Sequence, residues 1–91
     1  MREIVLSKTG FDPYHEPETR LREFVTARQL FIFFVRKYAK LSQKATGVLV
    51  GKDHSTVNWA ENCVKRFKIL EADYSELYDS IETDILKIIN Q

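Results

Sequence analysis

Apolar residues recur along this chain at the spacing of helices. Between about residues 19–23 and Lys40 they mark one long helix. The residues on its apolar face are Leu30, Phe34, Tyr38 and Leu41. Residues 30–35 would also fit a buried strand by periodicity alone, but the flanking residues continue the helical pattern. We therefore predict a phenylalanine-rich helix at the centre of a small bundle.

Two further helices are predicted on either side of a glycine turn. Ser42 is a favourable N-cap for a short helix over residues 43–49. Gly47 lies inside that helix, and close packing against a neighbouring helix would explain a glycine there. Asp53 is a favourable cap for the next helix, which extends to about Leu70. The residues that this helix is expected to bury, at spacings of 3, 4 and 3, are Val57, Ala60, Val64 and Phe67.

The last helix is predicted over residues 73–89. Its apolar stripe is Tyr74, Leu77, Ile81, Ile85 and Ile88. This spacing resembles a heptad and could form a dimer seam, but we favour packing on its own bundle, hence a monomer or weak dimer. Residues 1–18 contain both prolines and Gly10, and we predict that they are irregular. The expected fold is all-α, with about four helices over residues 19–91.

Charge is distributed unevenly along the 91 residues. Residues 19–68 hold 11 Lys/Arg and three acidic residues, whereas residues 69–91 hold one Lys and six acidic residues. The net charge is only +1. A basic middle indicates a face that binds a polyanion, and the alternative is a set of solvated helix faces of mixed sign. No apolar run approaches the roughly 20 residues that cross a bilayer, so we expect a cytoplasmic protein.

The helix predicted from Asp53 has a polar side opposite its apolar stripe. The residues on that side are Ser55, Asn58, Trp59, Asn62 and Arg66. Asn can pair with adenine and Arg with guanine or phosphate. His54, Ser55 and Thr56 lie in the first turn, where free N–H groups favour a phosphate. A short helix, a glycine turn and this helix make a helix-turn-helix. The alternative is an ordinary amphipathic helix, against which the outward-facing Trp59 argues.

Residues 51–57, Gly-Lys-Asp-His-Ser-Thr-Val, resemble the signature Gly-Arg-Asp-His-Thr-Thr-Val of the DNA-binding domain of the DnaA replication initiators. Residues 20–29 are similar to the segment that opens the same domain, and the resemblance covers about residues 19–91. It implies a Trp-repressor-like helix-turn-helix. It also implies that Arg20 enters the minor groove, that Arg28, Gln29 and Arg36 face the DNA backbone, and that residues 52–56 contact bases and phosphates.

The chain also departs from this family pattern. Lys52 stands where the family usually has Arg, which weakens bidentate guanine recognition. A single glycine precedes Lys52 where two are usual, and Asn58, Trp59 and Asn62 differ from the usual residues. No Gly-x-x-x-x-Gly-Lys-Ser/Thr loop occurs. We therefore expect no nucleotide cofactor and no complete initiator.

The sequence thus predicts a protein that binds double-stranded DNA with some sequence preference. The candidate DNA-contacting residues are Arg20, Arg28, Gln29, Arg36, Lys44, Lys52, Asp53, His54, Ser55, Thr56, Asn58, Trp59, Asn62 and Arg66. An auxiliary replication-linked or regulatory factor is expected, encoded by a phage or mobile element. The alternatives are a transcriptional repressor on the same fold and a module that binds a replication protein.

Neither catalysis nor a metal site is expected. Asp53, His54 and Ser55 are the residue types of a catalytic triad, but neighbours on a helix point in different directions. The single cysteine, Cys63, excludes an internal disulfide and a multi-cysteine zinc site. It flanks the apolar stripe and is predicted to be a packed, small apolar residue.

Overall fold

A computed structural model describes residues 2–14 and 22–90, and within these ranges the chain forms five helices and no strand. The helices are α1 (Arg2–Thr9), α2 (Arg22–Phe34), α3 (Gln43–Val50), α4 (His54–Leu70) and α5 (Ala72–Ile89). The predicted all-α class is confirmed. No helix in the described ranges is both long enough and apolar enough to cross a membrane.

Helix α2 lies at the centre of the bundle, as its phenylalanine-rich pattern predicts. Its side chains from Ala27 to Ile32 are all buried, and Phe34 is fully enclosed. Burying one such phenylalanine stabilises the fold by roughly 1.5–3 kcal/mol. The buried residues of the other helices that share this core include Val5, Val57, Ala60, Val64, Tyr78, Ile81 and Ile85.

Beyond Phe34, the helix widens into a π-helical turn over Val35–Ala39 and ends at Lys40, which has a left-handed φ of 57°. Glu82 of α5 holds this turn in place. Its Oε2 accepts hydrogen bonds from Lys37 Nζ at 2.7 Å and from the Tyr38 hydroxyl at 2.6 Å. Burial by itself raises the pKa of Glu82, but these two donors and the Lys37 charge outweigh it, so the pKa lies below its usual value.

The N-terminal segment corrects one prediction. Residues 2–9 form α1, where irregular backbone was expected over 1–18. The glycine and both prolines lie after this helix and do not interrupt it. Val5 is fully buried, and Gly10 ends the helix with a φ of 79°. Helix α1 therefore contributes to the core, and Lys8 pairs with Asp84 of α5 at 3.2 Å.

Helix α5 follows most of its predicted stripe. Tyr74, Ile81 and Ile85 are buried, but Tyr78 rather than Leu77 is the fully packed residue of the second turn. Ile88 was expected in the core and is 57% exposed, because nothing in the described part of the chain covers the last turn of α5.

Candidate nucleic-acid interface

The turn between α3 and α4 is fixed by two glycines. Gly51 ends α3 with a φ of 69°, and the Lys52 N–H donates to the Gly47 carbonyl at 2.8 Å. A Cβ on Gly47 would clash with the carbonyl oxygen of Lys52. The close packing predicted for Gly47 is therefore against this turn, not against a neighbouring helix. A side chain at residue 47 would displace the start of α4.

Both predicted helix caps are present. The Ser42 hydroxyl accepts the Ala45 N–H at 3.0 Å at the start of α3. The Asp53 carboxylate accepts the Thr56 N–H at 2.9 Å at the start of α4. This backbone hydrogen bond from Thr56 is the main reason why the pKa of Asp53 lies below its usual value. Asp53 thus orients the first turn of α4 and keeps a negative charge at the positive end of the helix.

Helix α4 has the two faces that its sequence predicts. Val57, Ala60 and Val64 are buried, and Cys63 is packed beside them at 1% exposure. The outward-facing, exposed residues are His54, Ser55, Asn58, Trp59, Asn62, Lys65 and Arg66. Amide, hydroxyl, indole and cationic groups therefore share one solvent-facing surface along α4.

Asn58 is also held from the side by α3. The Gln43 side-chain amide donates to the Asn58 Oδ1, with a nitrogen–oxygen distance of 3.4 Å. This is a long hydrogen bond, near the outer limit of useful geometry. It links the exposed surface of α3 to that of α4.

Unpaired cations lie around this surface. Lys44 on α3 and Lys65 on α4 are exposed, and Lys52 is half-buried in the turn between the helices. None of the three has a carboxylate partner within the described ranges. Lys65 was missed by the sequence analysis, although its spacing of three residues from Asn62 places it on the same helix face.

Several predicted contact residues of α2 lie elsewhere. Arg28 and Gln29, which the resemblance places towards the DNA backbone, are only 7% and 6% exposed, so they offer little free surface for such a contact. They belong to the central helix, along which α1 and α4 pack. Arg36 is half-buried, with its guanidinium 3.0 Å from the Glu61 carboxylate and donating to the Leu41 carbonyl at 2.8 Å. Arg20 lies outside the described residues.

Trp59 lies at the edge of the α4 surface rather than in its middle. Its side chain is 55% exposed. It lines a groove of about 380 Å³ between α4 and the start of α2. Other residues along this groove are Arg22, Thr26, Gln29, Phe67 and Tyr74. The groove gives the polar surface of α4 an aromatic wall on one side.

The structure thus defines a small all-α bundle whose long, capped α4 turns a polar and basic face to solvent. In sequence, the chain is similar to the chromosomal replication initiator protein DnaA of Gloeobacter violaceus, with 38% identity over 61 residues. It is also similar to DnaA of Flavobacterium psychrophilum, with 34% identity over 67 residues. These matches cover 66% and 72% of this chain.

The resemblance to DnaA inferred from residues 20–29 and 51–57 is therefore confirmed. The chain spans only 14% of the length of either DnaA protein. No protein-family model matches the chain. No solved structure matches it significantly.

Proposed function

We propose that this chain is a double-stranded DNA-binding module equivalent to the DNA-binding domain of DnaA. In this proposal α3, the turn at residues 51–53 and α4 act as a helix-turn-helix, with α4 in the major groove. The observation that carries the proposal is the exposed face of α4, which presents Asn58 and Asn62 beside cations that have no carboxylate partner in the described part of the chain.

The contacts would divide by chemistry. Asn58 and Asn62 have amide groups that can pair with the N6 and N7 of adenine, so we assign base recognition to them. Lys44, Lys52 and Lys65 are point charges suited to phosphates. His54 and Ser55 are exposed in the first turn of α4, where helix N–H groups favour a phosphate.

Both DnaA relatives are chromosomal replication initiator proteins, which supports a replication-linked role for this chain. A regulatory factor on the same fold would use the same surface. The bases that the chain prefers would separate these roles, because a preferred sequence can be sought among replication origins and among promoters.

Selection of bound duplexes from a random DNA pool tests the proposal. We expect one enriched sequence, and we expect the affinity for it to fall with salt. The slope of log K against log salt should be about −0.9 for each neutralised phosphate. Lys44→Ala should make this slope shallower by about 0.9, because one phosphate contact is lost. Lys87→Ala is the matched control, because it removes an exposed charge from α5. No duplex binding at low salt, or a flat salt response, would refute the proposal.

A further inference from the structure

Asn58 and Asn62 carry the same amide group on the exposed face of α4, but the rest of the chain holds only one of them. The Gln43 Nε2 on α3 donates to the Asn58 Oδ1 at 3.4 Å. Asn62 makes no side-chain hydrogen bond within the described ranges. The two asparagines would therefore meet a base with different hydrogen-bonding groups available.

Backbone contacts fix the position of Gln43 relative to Asn58. Gln43 is the first residue of α3, directly after the Ser42 cap, and its side chain is half-buried. The Lys52 N–H donates to the Gly47 carbonyl at 2.8 Å, and the close approach at Gly47 leaves no room between α3 and the start of α4. The contact between the two amides therefore belongs to the packing of α3 on α4.

The two ends of an amide differ in chemistry. The oxygen accepts hydrogen bonds and the NH2 group donates them. When both ends are free, an asparagine can bond to the N6 and N7 of adenine at once. With its Oδ1 turned to Gln43, Asn58 instead turns its Nδ2 outward and offers donors. Such donors fit guanine, whose N7 and O6 both accept, and do not fit the N4 amino group of cytosine.

The start of α3 determines which end of the Gln43 amide faces Asn58. The first backbone N–H groups of a helix have no carbonyl partner within it and carry a partial positive charge. They attract the Oε1 of Gln43 and repel its Nε2. The Nε2 therefore points away from the start of α3 and toward Asn58, as the hydrogen bond shows.

A hydrogen bond of this length stabilises the fold little. It acts through the orientation that it excludes. If the Asn58 amide turned over, its Nδ2 would face the Nε2 of Gln43, and two donors would meet without an acceptor. A preference for one orientation of the amide is enough to change which base binds best.

We propose that Gln43 is a positioning residue that sets the base preference of Asn58. It holds the Asn58 amide with Nδ2 toward the DNA, so that Asn58 prefers guanine, whereas the unheld Asn62 can make the two-bond contact with adenine. The proposal rests on the DNA-binding function proposed above. Gln43 acts through Asn58 and contacts no base itself.

The test first locates the base pair that Asn58 reads. This is the pair in the selected duplex at which Asn58→Ala loses discrimination. Duplexes with each of the four possible pairs at this position are then titrated at one salt concentration. For the wild type we expect a G·C pair in one orientation, favoured over the reversed pair by about tenfold.

Gln43→Glu should invert this preference, because a carboxylate only accepts hydrogen bonds. The Asn58 Nδ2 then turns to the carboxylate, and its Oδ1 turns outward to accept from the N4 of cytosine or the N6 of adenine. The reversed pair or an A·T pair should become the best by about tenfold. Ala45→Glu is the matched control, since it adds the same charge at an exposed position of α3. It should weaken all duplexes equally and leave their ranking unchanged.

Two further chains separate positioning from a direct contact. Gln43→Met keeps a side chain of similar length without the amide, so Asn58 is free to turn and the preference for G·C over A·T should shrink. In a chain that carries both Gln43→Glu and Asn58→Ala, the inverted preference should disappear. Circular dichroism checks that each chain keeps its helices.

Each outcome supports or overturns the positioning role. A wild-type preference for A·T at this pair, no such pair for Asn58→Ala, or a ranking that Gln43→Glu leaves unchanged would overturn it, with DNA binding intact. An inverted preference that persists without the Asn58 amide would also overturn it, because Gln43 would then contact the base directly. Absence of duplex binding by the wild type would overturn the proposed function, and this role with it.

Discussion

Helices α2 and α4 pack against each other, yet they place their polar residues in different environments. On α2, Arg28 and Gln29 are buried. Just beyond it, Arg36 is tied to Glu61 and to the Leu41 carbonyl. On α4, by contrast, Asn58 and Asn62 stand exposed. In the sequence, both segments carry polar and basic residues that could contact DNA. What distinguishes a binding surface is therefore whether its polar groups are already used within the bundle.

The largest contrast between the two helices should appear in stability. Phe34→Ala empties the centre of α2, where the side chain is fully buried, and should lower the free energy of unfolding by about 3–5 kcal/mol. Trp59→Ala on α4 should change it by no more than about 0.5 kcal/mol, because the indole is 55% exposed. Urea unfolding followed by circular dichroism measures both. Equal losses would mean that Trp59 belongs to the core.

A smaller effect is expected where α3 turns into α4. Gly47→Ala should lower the free energy of unfolding by about 1–3 kcal/mol, because the added Cβ meets the Lys52 carbonyl. In an unobstructed helix the same change would raise stability by about 1 kcal/mol. The sign of the change in urea unfolding therefore decides the matter, and a stabilised Gly47→Ala chain would contradict the packing described for the turn.

Arg36 and Lys65 sharpen the comparison between a cation used inside the bundle and one left free. Arg36→Ala should cost about 1 kcal/mol of stability through its lost hydrogen bonds. Lys65→Ala should leave stability unchanged, weaken binding to all duplexes alike and reduce the salt slope by about 0.9. Melting curves measure the stability of both variants, and salt titrations measure their binding to DNA. If Arg36→Ala instead weakened DNA binding and Lys65→Ala lowered stability, Arg36 would be the DNA contact and Lys65 the structural cation.

The smallest effect is expected in the stability of the fold at low pH. The folded state lowers the pKa of Glu82 below its reference value of 4.5. Its stabilising contribution is therefore present above that value and is lost as pH falls through the lower, folded-state pKa. The difference in melting temperature between the wild type and Glu82→Gln should be larger at pH 7 than at pH 3. A difference that does not vary with pH would place the role of Glu82 in packing rather than in charge.

Local rules account for what the sequence predicted well. The caps at Ser42 and Asp53 and the two faces of α4 depend on residues a few positions apart, so pattern and propensity suffice. The failures depend on contacts between distant parts of the chain. The burial of Arg28 and Gln29 follows from the packing of α1 and α4 along α2. The exposure of Ile88 arises because nothing in the described part of the chain covers the last turn of α5.

Helix α1 and Lys65 were also missed, although the sequence contains a signal for each. The prolines that suggested irregular backbone lie outside residues 2–9, and a helical wheel places Lys65 beside Asn58 and Asn62. The role of Gly47 lies between these cases. A glycine inside a helix suggests close packing, as the sequence analysis predicted. That the Lys52 carbonyl is the group packed against it can be seen only from the shape of the turn.

The most direct test of the account asks whether the outward face of α4 recognises bases. Wild type, Asn58→Ala, Asn62→Ala and Lys65→Ala would be titrated at one salt concentration against the selected duplex and a set of single-base-pair variants of it. We predict that each Asn variant loses about 1–3 kcal/mol of discrimination at particular base pairs, whereas Lys65→Ala weakens every duplex equally. If the Asn variants instead weaken all duplexes by the same factor, α4 is not the recognition helix.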